Sequence, residues 1–256
     1  MKTLKQLLLT FTLLPSLALA TSDQKVMTTP PIRVRVAVDA TGHLTDITPM
    51  QKLTDPFAGI VQRTLAKWTF YPARINGKPV VTMTWLIIEL KAQLNGNGGA
   101  QVQVDYLGNG PYWGLTCPSY PQEMARELRA ARIVVEATVG TDGHLADPKV
   151  VAALTSDGGP ARFFVRAVLN SVRKAEAKPI VVDGQPVVSH VRFPVTFALD
   201  MEGRTDGDAA HFRPASDSSR YVTASQVASP ASRLALVGNE MVALDSPIQP
   251  LATPGG

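Results

Sequence analysis

The sequence predicts an α+β protein made of two tandem β-β-α-β repeats, each a small antiparallel sheet packed on one helix. Three observations carry this reading. "VRVAVDATGHLTDITPM" (34–50) and "VEATVGTDGHLADPKVV" (135–151) share an alternating apolar run, a Gly-His-Leu and an Asp two places on. Sliding the first stretch onto the second sets Val34, Val36 and Val38 on Val135, Ala137 and Val139, and sets Arg35 on Glu136, so the apolar and polar faces agree. Towards the end of each segment Pro72, Gly77 and Pro79 fall on Pro179, Gly184 and Pro186, with Leu86, Ile88 and Leu90 on Phe193, Val195 and Phe197. The small change of offset between the two matches fits a longer helix or loop in the second segment.

Residues 1–20, "MKTLKQLLLTFTLLPSLALA", read as a secretory signal peptide: basic Lys2 and Lys5, an apolar stretch from Leu7 to Leu17, and the small-x-small site Ala18-Leu19-Ala20. The competing reading is an uncleaved anchor. The apolar run is short beside the roughly 20 residues of a membrane-spanning helix, and Pro15 stands near its end. A lipoprotein anchor is not expected, because no Cys follows the cleavage site.

The first repeat is placed at 28–92. "IRVRVAV" (32–38) alternates strictly and predicts a half-buried strand. "DATGH" (39–43) supplies the Asp and Gly of a tight hairpin turn, and "LTDITPMQKL" (44–53) returns as a strand whose Pro49 suits an edge or a bulge. "DPFAGIVQRTLAKW" (55–68) predicts a helix with Asp55 as N-cap, Pro56 at its first position and Phe57, Ile60, Val61, Leu65 and Trp68 at helical spacing. "YPARINGKPV" (71–80) breaks it with a turn at Asn76-Gly77, and "VTMTWLIIEL" (81–90) is the closing strand. The second repeat, 118–200, repeats this order: strand 131–139, turn 140–143, strand 144–154, helix 159–177, break 178–188 and strand 189–199. Residues 93–117 are a linker in which "QVQVDYL" has the pattern of an extra strand, and Tyr112 and Trp113 are expected to pack locally. Residues 201–256, rich in Ser, Asp, Ala, Pro and Gly, read as a disordered tail, with "SRLALVGNEMVAL" (232–244) able to form an isolated element.

Composition narrows the function. The 256 residues carry a net charge of +4, and without residues 1–20 the balance is 23 basic against 21 acidic. That is too weak for nucleic acid, and no basic run exists to carry it. Cys117 is the only cysteine, so no internal disulfide can form, and it reads as a buried or incidental thiol. His43 and His144 occupy equivalent turn positions, and no metal-ligand spacing surrounds them. Asp39, Asp46, Asp142 and Asp147 read as hairpin-turn residues rather than paired catalytic carboxylates. "NGNGG" (95–99) lacks the strand-turn-helix setting of a phosphate loop, and no Gly-x-Ser-x-Gly elbow is present. No catalytic residue, metal or cofactor is expected, and the chain is read as a non-enzyme.

At "SYPQEMARELRAARIVVEATVGTDGHLADPKVV" the chain resembles a TonB C-terminal domain: Tyr120-Pro121, a short helix, then a strand running into the Asp142-Gly143 hairpin. The family's later Trp-x-aromatic signature with a following Pro stands in the first repeat as Trp68, Phe70 and Pro72. The likeness runs from Ile32 to Leu199, with departures. The first repeat has "TTPP" (28–31) in place of Tyr-Pro, and the second has Ala175 and Ala177 in place of the Trp-aromatic pair. The resemblance implies binding of an extended segment of an outer-membrane transporter as an added strand on a sheet edge. The last strand of each repeat is the expected edge. Met83, Trp85, Ile87 and Glu89 would face outward on the first, and His190, Arg192, Pro194 and Thr196 on the second, where Pro194 lacks the N–H that full pairing needs. The partner-binding candidates are Met83, Trp85, Ile87 and Glu89, with Tyr120 and Pro121 from the family's opening motif. The chain shows neither an inner-membrane helix nor a long Pro-rich spacer for energy transduction. It is therefore expected to be a periplasmic binding or scaffold protein with an envelope partner, not stably inserted in the membrane once the signal is cleaved. A homodimer is an open alternative. Others are an uncleaved, anchored TonB-type transducer, and a peptidoglycan-associated factor or envelope enzyme working in a cleft between the repeats.

Overall fold

The computed structural model describes residues 26–94, 100–114, 118–198, 213–217 and 241–251. The expected signal peptide, "NGNGG" and Cys117 lie outside the described residues. The first half contains β1 (Val26–Thr28), β2 (Ile32–Val38), β3 (Leu44–Pro49), α1 (Asp55–Leu65), β4 (Phe70–Tyr71), β5 (Arg74–Ile75), β6 (Lys78–Pro79) and β7 (Thr82–Leu94). Next come β8 (Ala100–Gly110) and β9 (Tyr112–Trp113). The second half contains α2 (Gln122–Arg126), β10 (Ala131–Val139), β11 (Leu145–Thr155), α3 (Arg162–Val172), β12 (Ala177–Lys178), β13 (Val181–Val182), β14 (Gln185–Pro186) and β15 (Ser189–Phe197). The short strands β16 (Arg213–Pro214), β17 (Val242–Ala243) and β18 (Gln249–Pro250) complete the described chain. Helices and antiparallel sheets are segregated in the manner of an α+β fold.

Strict alternation becomes strict burial. Val34, Val36 and Val38 are fully buried, while Arg33, Arg35 and Ala37 are only half-buried. β2 pairs with β3 on one side and with β7 on the other. β10 does the same with β11 and β15. The two hairpins bend alike. Asp46 (φ 48°) and Asp147 (φ 49°) take left-handed backbone where each pairing slips by a residue. Their turn glycines are held from behind. Phe70 N donates to Gly42 O and Ala177 N donates to Gly143 O, both at 2.8 Å. A Cβ on Gly42 would lie 2.1 Å from Phe70 O, and one on Gly143 would lie 2.4 Å from Ala177 O.

Each main sheet buries one face under a helix. Val61 and Leu65 of α1 close a core with Val34, Val36, Val38, Leu86 and Ile88. Phe164, Val165, Val168 and Val172 of α3 close a second with Ile133, Val135, Phe193 and Val195. Both helices are shorter than their apolar periodicity predicts. After Leu65 and Val172 the chain tightens into i→i−3 bonds, from Lys67 to Thr64, Trp68 to Leu65, Lys174 to Ser171 and Ala175 to Val172. These turn the backbone into β4 and β12. Thr54 rather than Asp55 holds the N-cap position of α1, and Asp55 lies in its first turn.

The linker and tail depart furthest from expectation. "QVQVDYL" lies within β8, which pairs with β7 over Trp85 to Leu94. Trp113 does not pack locally. It enters the second core, its ring 4.1 Å from that of Phe193. The two halves also exchange an element, because β13 pairs with β7 of the first sheet through Val181↔Met83 and Val182↔Thr82. Described parts of the tail expected to be disordered are packed instead: Ala215 and Met241 are buried in the second core and Ile248 in the first.

Candidate functional site

β7, the closing strand of the first half, is not an open edge. β2 takes one side of β7, and β1 continues on that side through Thr28↔Lys91. β8 takes the other side. The main-chain groups of Trp85 and Ile87 are thus already committed within the chain, which corrects the edge expected there. Trp85 and Ile87 are 6% and 3% exposed, and Glu89 lies 3.7 Å from Lys91 Nζ. Trp85 is covered by Tyr112, whose ring centroid is 5.9 Å away, and the Arg33 guanidinium caps Tyr112 at 5.2 Å. Met83 alone of the four is substantially exposed. It lines a groove of about 620 Å³ with Arg35, Trp85, Lys178, Pro179 and Val181, where the first sheet meets the β12–β13 connection. Its charged lining is cationic.

Tyr120 and Pro121 are set apart from β7. Tyr120 Oη donates to Arg129 O at 2.6 Å, and its ring meets Phe164 and Phe197 edge-on at 5.9 and 5.4 Å. Pro121 starts α2, and Arg129 after that helix joins Asp157 at 2.8 Å. This motif latches α2 across the second core.

The last strand of the second half is different. Along β15, Val191, Phe193, Val195 and Phe197 point into the core. The alternate residues His190, Arg192, Pro194 and Thr196 direct their N–H and C=O groups away from β10. His190 fixes this phase, because His190 O accepts from Leu244 N at 2.7 Å and His190 N donates to Asp245 Oδ1 at 2.8 Å, both on the outer side. The unbroken register with β10 carries the phase along the strand. Pro194 falls on an outward position, where its missing N–H costs β15 no bond to β10. On that outer side β17 pairs with Val191 and Arg192 only, and no other described strand covers Phe193–Phe197. The face opposite α3 is polar: Arg192 pairs with Glu136 across the strands, both half-buried. Beside it lies a cleft of about 450 Å³ lined by Glu136, Asp147, Lys149, His190 and Leu244.

The sequence reading placed His190, Arg192, Pro194 and Thr196 on an outward strand but missed the residues that meet them. Asp245 Oδ2 lies 2.6 Å from His190 Nδ1, and Ser246 Oγ bonds to Asn109 Oδ1. The available signal was "MVALD", an apolar stretch ending in an acid after a Gly-Asn break. Among the described residues, no group of three or more His, Cys, Asp or Glu side chains is arranged to hold a metal ion. No helix among them is long and apolar enough to cross a membrane.

The family model for the Gram-negative bacterial TonB protein C-terminal matches residues 116–199. The resemblance read from Tyr120-Pro121 and Asp142-Gly143 is therefore met over the segment that contains α2, β10, β11, α3 and β15. No curated protein matches the chain.

Proposed function

We propose that the chain is a non-catalytic binding protein of the cell envelope, exported to the periplasm, with two divergent copies of one β-β-α-β module. The second copy takes up an extended segment of an envelope partner, such as an outer-membrane transporter, as a strand on β15. The observation that carries the reading is the edge of β15, which directs main-chain donors and acceptors outward and ends in a stretch no described strand covers. Such an edge is a ready template for another chain, with affinity from main-chain bonds and selectivity from side-chain pockets. The family match over 116–199 supports the same element, because β15 is the last strand of the matched segment. Two copies of one module account for the common strand order β3-β2-β7 and β11-β10-β15, the paired left-handed residues and the two buried turn glycines. In the first copy β8 plays the part of the added strand, so that copy serves as support.

The test is photo-crosslinking in intact cells from position 196 on β15, compared with position 83 on β7 and position 63 on the exposed side of α1. An adduct from 196 to an envelope protein, identified by mass spectrometry and lacking from 63, is expected. Adducts from 83 alone would move the binding surface to the groove beside Met83. Crosslinks confined to the chain itself would reject strand addition at β15.

A further inference from the structure

We propose that residues 242–245 are an intramolecular stand-in for the partner's strand, so that β15 takes up a partner only when these residues leave it, and that the partner presents a carboxylate to His190. The proposal rests on the strand-addition reading above and names what regulates that site and what fits it.

The segment copies an added strand in every feature the structure records. Val242–Ala243 pairs antiparallel with Val191–Arg192, and Leu244 N bonds to His190 O. Asp245 then closes the end of the pairing with both carboxylate oxygens, one on His190 N and one on His190 Nδ1. An exposed acid that takes both groups of an exposed His is a recognition contact rather than a packing one. The segment is anchored on either side of this short pairing. Met241 is buried in the second core and Ile248 in the first, with β18 paired to β4 through Gln249↔Tyr71. Between the anchors, Val242 passes over Gly108, where a Cβ would lie 3.1 Å from Val242 Cγ1, and Ala243 N passes 2.9 Å from a Cβ on Gly110. The two glycines of β8 thus make room for the strand.

Hydrogen-bond accounting makes the two occupants exclusive. The outward positions of β15 are His190, Arg192, Pro194 and Thr196. β17 and Asp245 use the first two, and Pro194 has no N–H to give. Thr196 leaves a single outward N–H. A strand added beyond β17 would therefore find one donor, whereas one that replaces β17 finds three: His190, Arg192 and Thr196. Useful strand addition needs the whole edge, and the resident segment stands on half of it. Occupancy by the resident then reduces the partner's apparent affinity to its intrinsic value multiplied by the open fraction.

The test uses the full mature chain and a fluorescent peptide of the resident sequence, MVALDSPIQP. Leu244→Pro with Asp245→Arg removes the Leu244 N–H and the carboxylate from two exposed positions and leaves Met241 and Ile248 in place. The opposite variant locks the segment with a disulfide between Arg192→Cys and Val242→Cys, which face each other in the pairing and leave His190 and Asp245 intact, in a Cys117→Ser background. The released variant is expected to bind the peptide at least about tenfold more tightly than the unmodified chain. The oxidised lock should bind none, and reduction should restore binding. A peptide with its Asp replaced by Lys should bind the released variant about tenfold more weakly, as expected for loss of a charge-assisted bond. Equal binding to the released, locked and unmodified chains would overturn the proposal while leaving a peptide site in being. Failure of the peptide to bind the released variant, with its thermal unfolding cooperative, would overturn the strand-addition reading itself. If the released variant does not fold, gain of binding on reducing the lock decides the question alone.

Discussion

At the scale of single residues, the same residue type carries different weights because of what stands behind it. Gly42 and Gly77 both have left-handed backbone, φ 88° and 79°. Nothing lies within 4 Å of a Cβ on Gly77, so Gly77→Ala meets only backbone strain and should cost about 1–2 kcal/mol. Gly42→Ala adds the collision with Phe70 O, on a strand that cannot retreat, and should cost roughly 3 kcal/mol or more. Urea unfolding of the two variants checks the difference. Tyr106 is a second case. Burial against Trp68 and Phe70 pushes its phenol up to about 12, with the Asn109 amide bond to its oxygen pulling the other way. The sign follows: the unfolded chain loses this proton near pH 10, the folded one only near 12. The contribution of Tyr106 to stability is present in full below pH 10 and is lost as pH rises to about 12. Ultraviolet titration should find a late-ionising component in the folded chain that is missing in Tyr106→Phe.

At the scale of elements, apolar periodicity found the long strands β2, β3, β7, β8, β10, β11 and β15 and the helices α1 and α3, and local bonding set where each one stops. The alternation of "IRVRVAV" needs no partner to be read, because a period of two leaves only one face for the core. The helix ends escaped because the i→i−3 turns after Leu65 and Val172 are forced by the strands that follow, a tertiary demand on residues whose propensities continue the helix. The Tyr120-Pro121 motif was legible as a family mark, yet its contacts are those of a latch. Tyr120→Phe should lose the bond to Arg129 O and about 1 kcal/mol of stability, and leave peptide binding at β15 unchanged. Fluorescence anisotropy beside thermal unfolding separates the two effects. On α3, Phe164→Ala empties a fully buried ring site and should cost about 3–5 kcal/mol in denaturant unfolding.

At the scale of the whole molecule, the chain's end holds its halves together. Ile248 is 1% exposed in the first core, and Met241 is equally buried in the second. Ile248→Ala should therefore destabilise by about 2–5 kcal/mol, where a loose tail would give almost nothing, and calorimetry distinguishes the two. The sequence by itself determined the α+β class, the strand-turn-strand-helix-strand order of both halves, their inward faces and a TonB C-terminal likeness read over 32–199, which the family model meets over 116–199. All of these follow from patterns within a few residues of one another. Only the tertiary structure decided which strand edge is open. Edge status depends on what else pairs there: β8 fills the side of β7 that "VTMTWLIIEL" could not reveal as taken, and Val242–Ala243 reaches β15 from about fifty residues away in sequence. A strand's faces are written in its own side chains, but its edges are main chain, identical in every residue but proline, and so carry no local sequence signal of their partner.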